Sequence, residues 1–188
     1  HAVAYSVLFG VTPLQLTAKV ASSYAAGFTF PHQIHETRDS LVKKVKVLLA
    51  GGLAEDLVFG EGNASIGRGH DREVATVTVI EVVRRYGFDA EFQATYTLDG
   101  PASMDRSVTD PDIEKMMARL VAETKEMLGR HHHFLVALSS ELLIKSELDG
   151  AAIQAIATAH KLPCKTHPEG FQIIPDYAAH LDKERVPN

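Results

Sequence analysis

Ten histidines and 24 carboxylates are the side chains whose types suit metal binding or proton transfer. His131, His132 and His133 are consecutive. Neighbouring helical residues point about 100° apart, so these three cannot face one ion together and read as a solvated helix start. His32 and His35 flank the end of a strand and read as surface loop residues. Asp71, with His70 beside it, opens a helix directly after the Gly-, Asn- and Ser-rich stretch 61–69. An acid in that place suits capping and complements the helix dipole. His1 stands at the terminus, and composition alone makes it an accident of where the chain starts. A chain that starts on His rather than Met reads as part of something longer. There is no GxxxxGK[ST] phosphate loop and no GxSxG nucleophile elbow. The single cysteine, Cys164, excludes an internal disulfide and a Cys-only zinc site, and fits a reducing compartment.

The elements that must position these groups are mainly helical. Ala2 to Phe9 is an apolar run ended by Gly10 and reads as the end of a buried helix. Leu14 to Val20 alternates as a half-buried strand does, and Tyr24 to Phe30, stopped by Pro31, reads as an edge strand. Thr37 to Phe59 carries a helical stripe of Leu41, Val45, Leu48 and Leu49. The glycine pair Gly51-Gly52 inside it implies close packing or a break. Helices follow over Asp71–Tyr86, from Thr109-Asp110-Pro111 onward, over His131–Lys145 and from Asp149 to His160, while 88–108 looks irregular. The fold class is therefore mainly α (α+β), with a small N-terminal sheet and a C-terminal helical bundle. Residues 1–160 form the domain. Residues 161–188 form a tail without periodicity that holds Pro163, Pro168, Pro175 and Pro187.

The chain has 188 residues, 45% hydrophobic and 23% charged, with net charge -5. That is enough apolar content for one core. The acidic balance excludes a nucleic-acid surface as the main function. No apolar run reaches the roughly 20 residues a bilayer requires, so this segment inserts in no membrane.

Several segments resemble, in order, the peptidase domain of the FtsH family of ATP-dependent zinc metalloproteases (AAA proteases). His1-Ala2-Val3-Ala4-Tyr5 is similar to the second half of the HExxH-x-V-x-A-Y zinc helix, and Pro13 to Thr17 to the P-V-x-K-V-T strand. Tyr24 to Pro31 resembles the A-L-G-Y-T-x-x-x-P edge strand, and Leu48 to Gly60 the L-L-G-G-R-A-A-E-E-L-V-F-G helix. Ser65 to Thr76 is similar to T-T-G-A-S-N-D-L-E-R-A-T, and Glu147 to Ile153 to E-T-L-D-x-x-x-I. Leu53 stands where the family has Arg, and His70 where it has Asn.

The resemblance implies a zincin-like peptidase domain whose zinc is held by His1 and Asp71. The other histidine of HExxH, and the general-base glutamate, would precede His1, so no catalytic base lies in this chain. Glu55 is implied to support the ligands from behind. Tyr24, Gly27, Phe28 and Thr29 are implied to pair with an extended polypeptide substrate. ATP would act only through an ATPase module that this sequence lacks. The family also implies a homo-oligomer, a hexameric ring, in a cytoplasmic setting or at the membrane face of an anchored parent. The alternative is a catalytically inactive relative that serves as an interaction or assembly module.

Overall fold

A computed structural model describes residues 1–18, 27–88, 106–168, 172–174 and 176–184. Helix α1 (Ala2–Phe9) is apolar all round and accordingly buried over Ala2, Val3, Ala4, Tyr5 and Ser6. Gly10 ends it in the left-handed conformation, φ 67°, donating its N–H to the Ser6 carbonyl. Three short strands follow: β1 (Gln15–Thr17), β2 (Phe28–Phe30) and β3 (Gln33–Ile34). Helix α2 (Arg38–Phe59) starts from a capping box, in which Thr37 accepts from the Ser40 amide and Ser40 from the Thr37 amide. Its inner stripe is Leu41, Val45, Leu49 and Leu53, spaced four apart. The helix is continuous through Gly51-Gly52.

Helix α3 (Arg68–Arg84) begins three residues before the expected start, so Asp71 lies within its first turn and does not cap it. Helix α4 (Arg106–Arg130) likewise begins before Thr109 and contains Pro111. Thr109 is buried, and its hydroxyl accepts from Arg84 Nε at 2.6 Å instead of capping a helix. The chain continues with α5 (His132–Lys145), β4 (Glu147–Asp149), α6 (Gly150–Ala159), β5 (Gln172–Ile173) and α7 (Tyr177–Glu184). Asp149 caps α6 through the Ala152 amide.

The sheet order is β2-β1-β4, antiparallel throughout, with Leu16 opposite both Thr29 and Leu148. Leu16 and Leu148 point inward to one core that also takes Val3, Val45, Val79, Leu120, Phe134 and Ile153. The mainly α architecture with a small sheet is thus observed. Strand β4 falls between the two expected helices. Beyond residue 160, β5 pairs in parallel with β3, and α7 follows. No helix among the described residues is long and apolar enough to cross a membrane.

Candidate metal centre

The imidazole of His1 lies at the start of α1, pressed against α2. Its Nδ1 is 2.8 Å from the Val47 carbonyl oxygen. A carbonyl cannot donate, so Nδ1 carries the proton and the Nε2 lone pair is left to face outward. Gly51 makes this approach possible, because a Cβ there would stand 2.3 Å from Nε2. Nε2 in turn stands 3.1 Å from Asp71 Oδ2 on α3. Burial of the ring disfavours its charge. The hydrogen bond to Asp71, the Val47 carbonyl and the Asp71 charge outweigh that, and the His1 pKa is raised above its ordinary 6.5.

Asp71 owes its place to the base of α3. Arg68 there donates to both Asp56 oxygens, at 2.6 and 3.2 Å, and to the Gly52 carbonyl at 2.6 Å. The second glycine admits this side chain, since a Cβ on Gly52 would meet Arg68 Cβ at 2.8 Å. The Arg68 fork is the main reason that the Asp56 carboxyl titrates below its usual range. Glu55 binds neither His1 nor Asp71. It accepts from the Ser65 amide at 3.0 Å and from the Ser65 hydroxyl, fixing the loop that leads into α3. His70 is exposed and borders the same groove as Asp71.

Two lone-pair donors 3.1 Å apart repel unless a proton or a cation lies between them. Ligands about 2.0–2.1 Å from a tetrahedral zinc stand about 3.3 Å apart, so the pair fits two corners of such a site. Among the described residues, no group of three or more His, Cys, Asp or Glu is placed to hold a metal.

The pair opens into a groove of about 530 Å³ that Tyr5, Phe9, Leu41 and Leu48 help to line. Gly27, Phe28 and Thr29 border the same groove. Strand β2 pairs only with β1, and its other edge meets no strand among the described residues. Phe28 and Phe30 project outward with ring centroids 6.1 Å apart. Tyr24 lies outside the described residues. His32 is not the surface residue its loop position suggested. It is buried, and its backbone N–H donates to the Tyr5 hydroxyl at 3.1 Å. Burial and the nearby His167 lower its pKa, against a smaller opposing effect from the Thr12 backbone.

Three supporting groups escaped the sequence reading: the Val47 carbonyl, Gly51 in its role of admitting His1, and Arg68. Only Gly51 left a signal, as half of a glycine pair inside a helix.

The model of peptidase family M41 matches residues 1–156. The ATP-dependent zinc metalloprotease FtsH of Lachnoclostridium phytofermentans is 27% identical over 163 residues, covering 83% of this chain and 28% of that protein. FtsH of Haemophilus influenzae is 26% identical over 178 residues, covering 85% and 28%. The mitochondrial inner membrane i-AAA protease supercomplex subunit YME1 of Saccharomyces cerevisiae is 23% identical over 169 residues, covering 86% and 23%. The chain spans less than a third of the length of these curated relatives. With the family's pattern matched from His1 to residue 156, within α6, the chain belongs to peptidase family M41.

Proposed function

We propose that this chain is the zinc-dependent endopeptidase portion of an AAA-type protease and acts on unfolded or extended polypeptides. His1 Nε2 and Asp71 Oδ2 are two of the zinc ligands. The remaining histidine and the general-base glutamate lie outside this chain. Zinc at such a site supplies a Lewis acid for the scissile carbonyl and lowers the pKa of a coordinated water.

This chain's own residues orient and bind. The Val47 carbonyl fixes the His1 tautomer, which keeps the Nε2 lone pair directed at the ion. Arg68, locked on Asp56 and Gly52, holds the first turn of α3 and hence Asp71. The open edge of β2 accepts an extended substrate through backbone hydrogen bonds and so reads little of its side-chain sequence. A parent ATPase would deliver unfolded chain to the groove, and a six-fold ring of copies is the assembly in which this would occur.

The observation that carries the reading is the meeting of His1 and Asp71, from distant parts of the chain, at 3.1 Å beside a strand edge that pairs with no other described strand. Zinc analysis of the full-length protein tests it. About one zinc per chain is expected, with nearly all of it lost in Asp71→Ala along with casein hydrolysis. A zinc-free wild-type protein would overturn the enzyme reading and leave the inactive assembly module in its place.

A further inference from the structure

We propose that Lys165, His167, β5 and Tyr177 together act as a strap that positions the groove wall at His32 and β3, next to β2, so that peptide capture depends on it. The kinetic part of this inference rests on the peptidase reading above. The family match ends at residue 156, so the strap lies outside the matched span.

The segment touches the groove wall from behind at successive points. Lys165 crosses the end of α1, donating its N–H to the Gly10 carbonyl at 2.9 Å and accepting the Thr12 N–H at 2.8 Å. The His167 ring meets the buried His32 edge-on, with centroids 6.4 Å apart. Strand β5 then runs parallel to β3, and the Ile173 carbonyl accepts the His35 N–H at 2.8 Å. The Tyr177 ring meets His35 edge-on at 6.3 Å.

Those partners alternate with, or are themselves, the residues that line the groove beyond β2: Pro31, His32, Ile34 and Glu36. β5 is the only strand paired with β3 among the described residues. Without it, a two-residue strand has no ladder at all. An edge that binds substrate by backbone hydrogen bonds works only when its own backbone is already ordered. Otherwise the ordering cost is subtracted from peptide affinity. The strap meets α1 only at its C-terminal end, at Gly10, whereas His1 at the other end is held by Val47 of α2 and faces Asp71 of α3, so loss of the strap should not reach the pair.

The test is the full-length protein carrying Lys165→Pro with Ile173→Pro. Proline removes the Lys165 N–H that bonds Gly10 and interrupts the β5 ladder. The expected result is a KM for an unstructured peptide about 5- to 30-fold higher, the equivalent of one or two lost hydrogen bonds, at unchanged kcat and zinc content. Amide exchange over residues 28–35 should accelerate in parallel. The pair Lys165→Arg with Ile173→Val keeps the backbone contacts and should behave as wild type. Unchanged exchange over 28–35 overturns the strap, as does a fall in kcat at constant KM. If the wild-type protein cleaves no peptide, the peptidase reading fails and exchange alone decides for or against the strap. If the proline variant does not fold, His167→Ala with Tyr177→Ala takes its place, with the same exchange criterion.

Discussion

At the His1–Asp71 corner, helices α1, α2 and α3 converge on the site and every support is a packed element. A helical carbonyl orients the imidazole, a glycine admits it, and a forked arginine pins the helix that carries the aspartate. Across the groove, β2 has three residues, one strand partner among the described residues and two half-exposed phenylalanines. One side is built to hold two atoms at a fixed separation, the other to offer a backbone edge. Metal ligation, the role proposed for this corner, tolerates little error in position, and a helical, over-determined scaffold suits it. Pairing with chains of varied sequence needs only ordered N–H and C=O groups, which a short strand supplies once it is braced from behind.

A glycine on each side admits a close approach, Gly51 on one and Gly27 on the other, and replacing each in turn separates the two. Gly51→Ala carries the largest expected effect. The new methyl group would stand 2.3 Å from His1 Nε2, so the ring must swing away from Val47 and Asp71. A side-chain tip moves at little cost to the fold, so the melting temperature should change little while zinc affinity falls about 100-fold. Titration with a chelating competitor would measure this. A variant with wild-type zinc affinity would show that His1 does not need the observed position. Gly27→Ala acts on the other wall. Its Cβ would fall 2.2 Å from the Thr17 carbonyl oxygen, which is backbone and cannot turn aside. Strand β2 must shift, and peptide KM should rise about fivefold at unchanged zinc affinity, as expected for the loss of roughly one hydrogen bond. A loss of zinc in this variant would merge the two sides that the comparison separates.

The same division explains what the sequence made legible. Helices α2, α5 and α6 lie within a few residues of the expected spans because Leu41, Val45, Leu49 and Leu53, or Ile153 and Ala157, repeat at helical spacing. Strands β4 and β5 did not show. Two or three residues are too few for alternation to register, and their pairing is fixed by Leu16 and Ile34, far away in the chain. His1 and Asp71 were nominated by resemblance alone, since nothing in the spacing of two residues so far apart marks them as neighbours. The Val47 carbonyl is invisible to any reading of residue types, because every residue offers the same group. The burial of His32 depends on Tyr5 and on the segment around His167, which a loop-by-loop reading does not bring together.

The smallest expected effect concerns acid and lies wholly on the helical side. Lys46 on α2 bonds Glu123 on α4 at 2.5 Å, and Arg119 bonds the other carboxylate oxygen. The Lys46 hydrogen bond is the main cause of a Glu123 pKa below its ordinary 4.5, with burial opposing it and Arg119 assisting. A carboxyl whose folded pKa is depressed adds stability that is fully present above its unfolded value and is lost as pH falls through the folded value. Wild-type stability should therefore begin to drop below pH 4.5. Lys46→Met should flatten that part of the curve by lowering the neutral-pH melting temperature slightly, because the stability lost in acid is the contribution this ion pair adds at neutral pH. Denaturation series from neutral pH to below 4.5 would show it. An equally steep acid limb in Lys46→Met would move the acid sensitivity to another carboxylate, with Asp56 beside Arg68 the next to replace.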